Sequence, residues 1–344
     1  MTFHRLQKSC LLGLIFLFFG ALPAVQAESD HHPLVVTSTN STKNQLLVYN
    51  SEGTLIQTLS TEGQGGASGN AGGIETKRSL VAVVNFGSQT VAIFERCDDG
   101  FHFKQLVPTA SSPLSVAFGD EHLYVLGTTS VESHRIFGSD VSSSSDGWVT
   151  LLKADGSAAQ VGVLPNQLII TEKSNTIETV NLLPGGAVSG VPTLVKNIPA
   201  NVNAPFGLVT RGNDAYVTIA HANEISLVRN GSVLTVTGSG TQSAPCWLAL
   251  LGPFLFSSNS PSMSISRYAV YGQKIVQDAA VAASLSGDPT EIASGEGLIA
   301  VIDGNGALSH LSIFKVDEDG NLSLRIANII RAPANGVAIV RDDD

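Results

Sequence analysis

Acidic and imidazole side chains occur at equivalent positions in this sequence, each directly after a short aliphatic run. Glu172, His221 and Asp303 each follow such a run. A carboxylate can accept a proton as a general base, and an imidazole can return one as a general acid. If the fold brings the ends of these runs together, the three residues form a candidate catalytic group.

Polar and aromatic residues beside similar runs are candidates for binding a ligand. They lie at the end of a run, or just after a proline that opens one: Lys173, Phe206, Trp247, Asn259 and Asn85. A structural alternative stays open, because asparagine and aspartate side chains favour turns by bonding to nearby backbone groups. That would account for Asn85, Asn259 and Asp303 without catalysis, and His221 can equally be a solvent-exposed turn residue.

The runs recur in a fixed order along the chain. Proline opens a run at Pro113, Pro205, Pro245, Pro289 and Pro333, at intervals of 92, 40, 44 and 44 residues. The first interval spans two repeats, with a run that lacks the proline between them. Repeats of about 40 to 50 residues, each with four short strands, are typical of β-propeller blades.

The second strand of each repeat indicates the number of blades. These strands are aliphatic runs that end in a polar residue, and seven can be identified: 34–37, 80–85, 123–127, 168–172, 215–220, 254–259 and 298–303. The chain begins its first repeat at a second strand and ends just after a first strand, 334–340. We therefore expect an all-β, seven-bladed β-propeller with four-stranded blades, in which the last strand pairs into the first blade and closes the ring.

This architecture predicts where the candidate residues meet. Second strands end, and first strands begin, on one face around the central channel, so their polar ends should form a ring at its mouth. The ring comprises Asn40, Asn85, Thr128, Glu172, His221, Asn259 and Asp303, with Phe206, Trp247, Glu291 and Asn335 from the first strands. The stretch 129–146 is expected to be a mobile surface loop that interrupts the third blade.

Several segments resemble the lactonase family of seven-bladed propellers, most closely its exported bacterial, carboxymuconate cyclase-like branch. The likeness covers nearly the whole mature chain and is carried by 123–127, 169–177, 204–207 and 244–247. It implies hydrolysis or formation of a lactone at the channel mouth, with no metal or other cofactor. Glu172 or Asp303 would then be the base, His221 the acid, and Lys173 or Asn259 the donor to the oxyanion.

The sequence departs from the family pattern where a Pro-Arg-His motif is expected. It has Pro205, Phe206 and Gly207 there, so the Arg and the His are missing. This departure argues against phosphogluconolactonase activity, and an acidic protein offers no attraction for a phosphorylated substrate. Two hypotheses remain: a lactonase-like enzyme, and a non-catalytic propeller that binds a glycan, a peptide or an envelope protein.

The first 27 residues have the layout of a secretory signal peptide, with Arg5 and Lys8, an apolar run over 11–19 and a small-residue site ending at Ala27. The run is shorter than the roughly 18 residues that cross a bilayer. We expect cleavage after Ala27, no membrane span in the mature chain, a secreted or periplasmic location, and one propeller domain over 28–344. An uncleaved anchor is the alternative.

Composition narrows the set of partners. The chain has 19 Lys and Arg against 29 Asp and Glu, and removal of Arg5 and Lys8 would change the formal charge from −10 to −12. Without a basic cluster, nucleic acid is a poor partner, and we expect a monomer that takes a small-molecule or glycan ligand. Cys97 and Cys246 are expected to be free and partly buried. No metal site is expected, because His31 and His32 lack further ligands.

Overall fold

The computed structural model describes residues 33–97, 100–198, 204–305 and 307–340. The signal peptide predicted for residues 1–27 lies outside the described residues, as do both ends of the domain predicted over 28–344. The strands of the first three blades are, in chain order, β1 Leu34–Ser38, β2 Gln45–Asn50, β3 Leu55–Ser60, β4 Ile74–Lys77, β5 Leu80–Asn85, β6 Thr90–Cys97, β7 Gly100–Pro108, β8 Pro113–Phe118, β9 His122–Gly127, β10 Ser130–Phe137, β11 Asp140–Val141 and β12 Gly147–Thr150.

Four further blades and a closing strand follow. The strands are β13 Ala158–Leu164, β14 Gln167–Glu172, β15 Thr176–Leu182, β16 Val188–Leu194, β17 Pro205–Arg211, β18 Asp214–Ile219, β19 Glu224–Arg229, β20 Ser232–Gly238, β21 Pro245–Leu251, β22 Phe254–Asn259, β23 Ser264–Tyr271, β24 Lys274–Ser284, β25 Asp288–Gly295, β26 Leu298–Asn305, β27 Leu308–Val316, β28 Leu322–Ile330 and β29 Asn335–Val340. Short 3₁₀ turns cover Phe86–Ser88 and Ala220–Ala222.

The strands form seven antiparallel sheets, which confirms the predicted seven-bladed propeller. Six sheets have four strands, and the third blade adds β11 to the pattern. Every second strand predicted from the sequence is present within one or two residues of its expected ends.

Burial explains why the second strands were recognisable. A second strand is covered on both faces by the neighbouring blades, so β5 is buried at every residue. Such strands read as continuous aliphatic runs. The outermost strand β3 alternates between exposed and half-buried residues because only one face meets a neighbour. The core therefore lies in layers between adjacent blades.

Ring closure follows the prediction. Strand β29 pairs antiparallel with β1, with Leu34 opposite Val340 and Ser38 opposite Asn335. Thr37 also donates from its hydroxyl to the carbonyl of Gly336 at 2.6 Å. The last described strand is thus the innermost strand of the first blade.

The stretch 129–146 corrects the expectation of a mobile loop. It contains β10, which pairs with β9 and β12. Polar residues inside this strand hide its alternation in the sequence, yet Glu132, Ser133 and His134 are all buried. Their partners are local: Ser133 donates to the Asp146 carboxylate at 2.7 Å, and Glu132 accepts from the backbone N–H of Ala110 at 3.0 Å.

Both described cysteines are free, as predicted. Cys246 is half-buried, but Cys97 at the end of β6 is exposed, which corrects its predicted partial burial. An edge position at a hairpin leaves the Cys97 thiol without a covering blade.

Candidate functional site

The predicted mouth of the channel is covered by part of the chain itself. We call residues 62–73, which connect β3 to β4, the mouth segment. Its Asn70 side chain donates to the carbonyl of Leu114 in the third blade at 2.6 Å, and its Ala71 N–H donates to Ala159 in the fourth at 3.1 Å. Because these contacts lie on different blades, the segment crosses the axial opening.

Residues from three more blades hold the same segment. The Trp247 indole N–H donates to the carbonyl of Asn70 at 3.1 Å, and Asn335 donates to the Asn70 side-chain oxygen at 3.0 Å. The Glu291 carboxylate accepts from the N–H of Gly72 at 2.6 Å. Asn70 and Ala71 are consequently almost fully buried.

Three of the predicted binding residues do come together here. The rings of Phe206 and Trp247 meet edge to face with centroids 5.2 Å apart, and the Lys173 ammonium lies 6.0 Å from the centre of the Phe206 ring. Lys173 also donates to the carbonyl of Gly69 at 2.5 Å, and burial lowers its pKa. What this cluster surrounds is the mouth segment.

Close approach explains the glycines of the mouth segment. Gly72 has a φ of +67°, and a Cβ there would lie 2.9 Å from the Ser115 hydroxyl. A Cβ on Gly65 would lie 2.4 Å from the carbonyl carbon of Asn40. Side chains at either position would force the segment away from the blades.

Glu172 lies between the third and fourth blades and is fully buried. One carboxylate oxygen accepts from the Lys153 N–H at 3.2 Å, and the neighbouring Glu178, also fully buried, accepts from the Leu152 N–H at 2.8 Å. Burial and the charge of Glu178 raise the pKa of Glu172 to about 8, and burial raises that of Glu178 to about 7. The second oxygen of each carboxyl has no hydrogen-bond partner among the described residues.

The other two catalytic candidates lie elsewhere in the ring. Asp303 is fully buried in the seventh blade, where it bonds to His310 Nδ1 at 2.7 Å and accepts from the Ser286 N–H at 3.3 Å. His221 is exposed in the turn after β18. The described contacts do not join Glu172, His221 and Asp303, and their joint catalytic role stays a prediction.

Asn85 and Asn259 bond to loops and strands of the blades. Asn85 accepts from the Thr61 hydroxyl at 2.7 Å and donates to the Thr61 carbonyl at 3.1 Å. Asn259 donates to the hydroxyls of Ser264 and Ser266 at 3.1 and 2.9 Å. Both amides are fully buried, a placement in line with the structural alternative.

The sequence predicts a central channel but does not indicate that its interior is a cavity large enough for a ligand. The channel has a volume of about 450 Å³, and its lining includes residues from the first strands of all seven blades. Glu291 lies where the channel meets the mouth segment, and burial raises its pKa to about 8. The mouth segment closes this end, because Gly72 is part of the wall.

The opposite end of the channel leads into a groove of about 690 Å³. Channel and groove share Glu75, Thr76, Lys77, Phe118 and Val163 in their linings, so the two cavities adjoin. The groove lies among the turns that join first to second strands. Its sequence signal is weak because those turns have no recurring motif.

The wall of this groove is acidic and rigidly built. Asp120 and Glu121 are exposed there, while the Lys77 ammonium donates to the carbonyl of Asp120 at 2.9 Å. Buried His122 bonds through Nε2 to the Asp146 carboxylate at 2.7 Å. The Tyr124 hydroxyl donates to the Gly186 carbonyl at 2.8 Å, which fixes the groove wall.

The described residues contain neither a metal-ligand cluster nor a membrane-spanning helix. Nowhere in them do three or more His, Cys, Asp or Glu side chains group closely enough to hold a metal ion. Nor do they contain a helix with the length and apolarity of a membrane span.

Comparison with known proteins finds similarity in solved structures. No family model and no curated protein sequence matches the chain. A candidate 6-phosphogluconolactonase from Bacteroides fragilis is 13% identical, with a TM-score of 0.65 over 92% of this chain and 99% of its own. One from Bacteroides uniformis is 14% identical, with a TM-score of 0.66 over 90% and 99%.

A functionally unknown protein from Desulfotomaculum acetoxidans is similar to the same degree. It is 14% identical, with a TM-score of 0.68 over 91% of this chain and 100% of its own. At such identities the likeness shows fold alone. The chain has the lactonase-like, seven-bladed propeller fold.

Proposed function

We propose that this chain is an exported, non-catalytic propeller that binds an extended ligand through the groove and the channel. The observation that carries the proposal is the pair of adjoining cavities, of which the channel is lined by the first strands of all seven blades. Concave cavities with a few polar groups are the usual form of ligand sites. Export rests on the apolar run and small-residue site of the first 27 residues.

The state of the acid and base candidates supports binding over catalysis at the mouth. A general base must reach the proton that it removes. Glu172 and Asp303 are fully buried, and each already accepts a backbone N–H. The Lys173 ammonium, a candidate oxyanion donor, is bonded to the mouth segment.

Charge indicates the class of ligand. Glu75, Asp120 and Glu121 line the groove together with one lysine, Lys77, whose ammonium bonds to the Asp120 carbonyl and lies 4.0 Å from the Asp120 carboxylate. Since carboxylates outnumber lysines in this lining, an uncharged or positively charged ligand is favoured over an anionic one. The ligand is therefore a single extended glycan or peptide chain without phosphate or carboxylate groups along its length.

Affinity measurements with a matched pair of variants test this proposal. Glu75→Gln removes one negative charge where channel and groove meet. Glu62→Gln removes one negative charge at an exposed residue of the mouth segment. Against a panel of neutral oligosaccharides and basic peptides, Glu75→Gln should weaken binding of basic members several-fold. Glu62→Gln should leave it unchanged. The proposal fails if no panel member binds, or if both variants behave alike.

Lactone ring opening is the second candidate. It is favoured by the fold likeness and by Glu291, whose pKa of about 8 keeps a proton available at the closed end of the channel. A panel of sugar, muconate and acyl-homoserine lactones tests it. Turnover lost in Glu291→Gln would place the chemistry in the channel, whereas turnover lost only in Glu172→Gln would return it to the mouth.

A further inference from the structure

The mouth segment is held as a bound peptide would be held. Its backbone carbonyls at Gly69 and Asn70 accept hydrogen bonds from Lys173 and Trp247. The next two backbone N–H groups donate, one to Ala159 and one to Glu291. Four consecutive residues are thus recognised mainly through their backbone.

Side-chain recognition within the mouth segment is concentrated on one residue. Asn70 donates to the carbonyl of Leu114 at 2.6 Å and accepts from Asn335 at 3.0 Å. Its neighbours are small, and Gly72 could not carry a side chain because a Cβ would contact Ser115. The groups at the mouth therefore select a bent backbone of small residues with one central amide, in which Gly69 and Gly72 have φ values of +59° and +67°.

The mouth segment contributes little apolar burial to hold itself in place. Ala67 and Ala71 are its buried apolar side chains, whereas Ser68 and Gly69 are exposed. Glycine gains more conformational freedom than other residues when it is released. Hydrogen bonds that water can replace supply most of the attachment.

We propose that the channel mouth is a polypeptide-binding site that residues 69–72 occupy in cis, and that a peptide of the same chemistry binds there when the mouth segment opens. The site is distinct from the groove, and the inference does not depend on the function proposed above. Trp247, Lys173, Asn335 and Glu291 supply its polar contacts, and Phe206 supplies the apolar wall. Its ligand is a bent segment of Gly, Ala or Ser around an Asn, with glycine at the two positions of positive φ.

A competition between the tethered segment and a free peptide tests this inference. A tethered segment competes at a high effective concentration, so the unaltered chain should bind a labelled peptide of residues 64–73 only weakly. Asn70→Ala removes the side-chain bonds of the tethered copy while the site stays intact. We expect the labelled peptide to bind this variant about tenfold more tightly, because a larger fraction of the chain is open.

Two controls make the result specific. Asn321→Ala removes an asparagine from a distant hairpin turn, where its amide bonds to Asp317, and should leave peptide binding at the level of the unaltered chain. A peptide in which the residue corresponding to Asn70 is alanine should lose the gain in affinity. Both controls separate occupation of the mouth from binding elsewhere.

Several outcomes would overturn the inference. Equal binding to Asn70→Ala and to the unaltered chain would place the peptide elsewhere, and no binding to folded Asn70→Ala would show that the segment is a fixed part of the fold. Thermal unfolding checks that the variant is folded. Should Asn70→Ala not fold, Gly72→Ala takes its place, because a Cβ there would lie 2.9 Å from the Ser115 hydroxyl and weaken the fit of the tethered segment while the side chains of the site are unchanged. Failure of that variant to bind would be equally decisive against the site.

Discussion

The two ends of the axial channel are built in opposite ways. At the mouth, side chains of many blades are engaged with the chain's own residues 62–73, and Trp247 and Asn70 are buried. At the groove end, Asp120 and Glu121 face solvent, and Leu183 is 51% exposed. The difference shows that polar side chains that converge on a propeller axis can bind the chain's own backbone at one end, while exposed groups at the other end stay available to a ligand.

Removal of the closing strand β29 should have the largest effect on stability, and it would disrupt both ends of the channel. Deletion of residues 332–344 exposes the inner edge of β1 and the apolar side chains that β29 covers, among them Val35. We expect the cooperative thermal unfolding transition to be lost. Circular dichroism during heating measures it. A truncated chain with an unchanged melting temperature would contradict the role of β29 in closure.

Truncation of one side chain at each end tests the contrast directly. Trp247→Ala should lower the free energy of unfolding by about 3 to 5 kcal/mol, because it empties a buried site and releases Asn70. Leu183→Ala should change it by no more than about 0.5 kcal/mol, since that side chain is half exposed. Urea unfolding measures both, and similar losses at the two ends would remove the distinction.

The buried carboxyl pair of Glu172 and Glu178 should make the stability of the fold depend on pH. The folded-state pKa values of Glu172 and Glu178, about 8 and about 7, lie above the value of about 4.3 for a free glutamate. Their contribution to stability is fully present below that value and is lost as the pH rises towards 8. In Glu172→Gln and in Glu178→Gln, the free energy of unfolding should therefore fall less between pH 4 and pH 8 than in the unaltered chain.

Melting temperatures of these variants between pH 4 and pH 9 measure the effect. Glu62→Gln is the matched control, because Glu62 is an exposed residue of the mouth segment. Its melting temperature should depend on pH as that of the unaltered chain does. If the melting temperatures of both buried variants fall with pH as steeply as that of the unaltered chain, ionisation of the pair has little effect on stability.

The smallest effect concerns thiol reactivity. Exposed Cys97 should react quickly with a maleimide at pH 7, whereas burial raises the pKa of Cys246 to about 12 and should make it slow. Mass spectrometry of the labelled chain without residues 1–27, which contain Cys10, should find one modification, with little change in stability. Rapid labelling of Cys246, which contacts the Phe206 and Trp247 core, would indicate that the mouth opens readily.

The architecture was predictable because burial on two faces leaves an unmistakable aliphatic run, as in β5. The strand β10 was missed for the converse reason: its buried Glu132, Ser133 and His134 are balanced by partners that the sequence does not reveal. Composition also cannot distinguish a free glycine-rich connection from one fitted against the blades, so the mouth segment was not foreseen.

The candidate site was predicted only in part, and side-chain direction explains the division. Neighbouring residues at the end of a strand point to opposite faces. Lys173 therefore reaches the mouth, while Glu172 is directed between two blades. Which member of such a pair faces the channel depends on the twist of each blade, which a single sequence does not specify.

The pairing of β29 with β1 has a consequence for how the protein is made. A hydrogen bond such as that from Thr37 to Gly336 joins residues 299 positions apart, so it cannot form until residue 336 has left the ribosome. Contacts of this range slow folding and leave an open strand edge in the meantime. During biosynthesis the edge of β1 must be kept from pairing with other chains until β29 has been made.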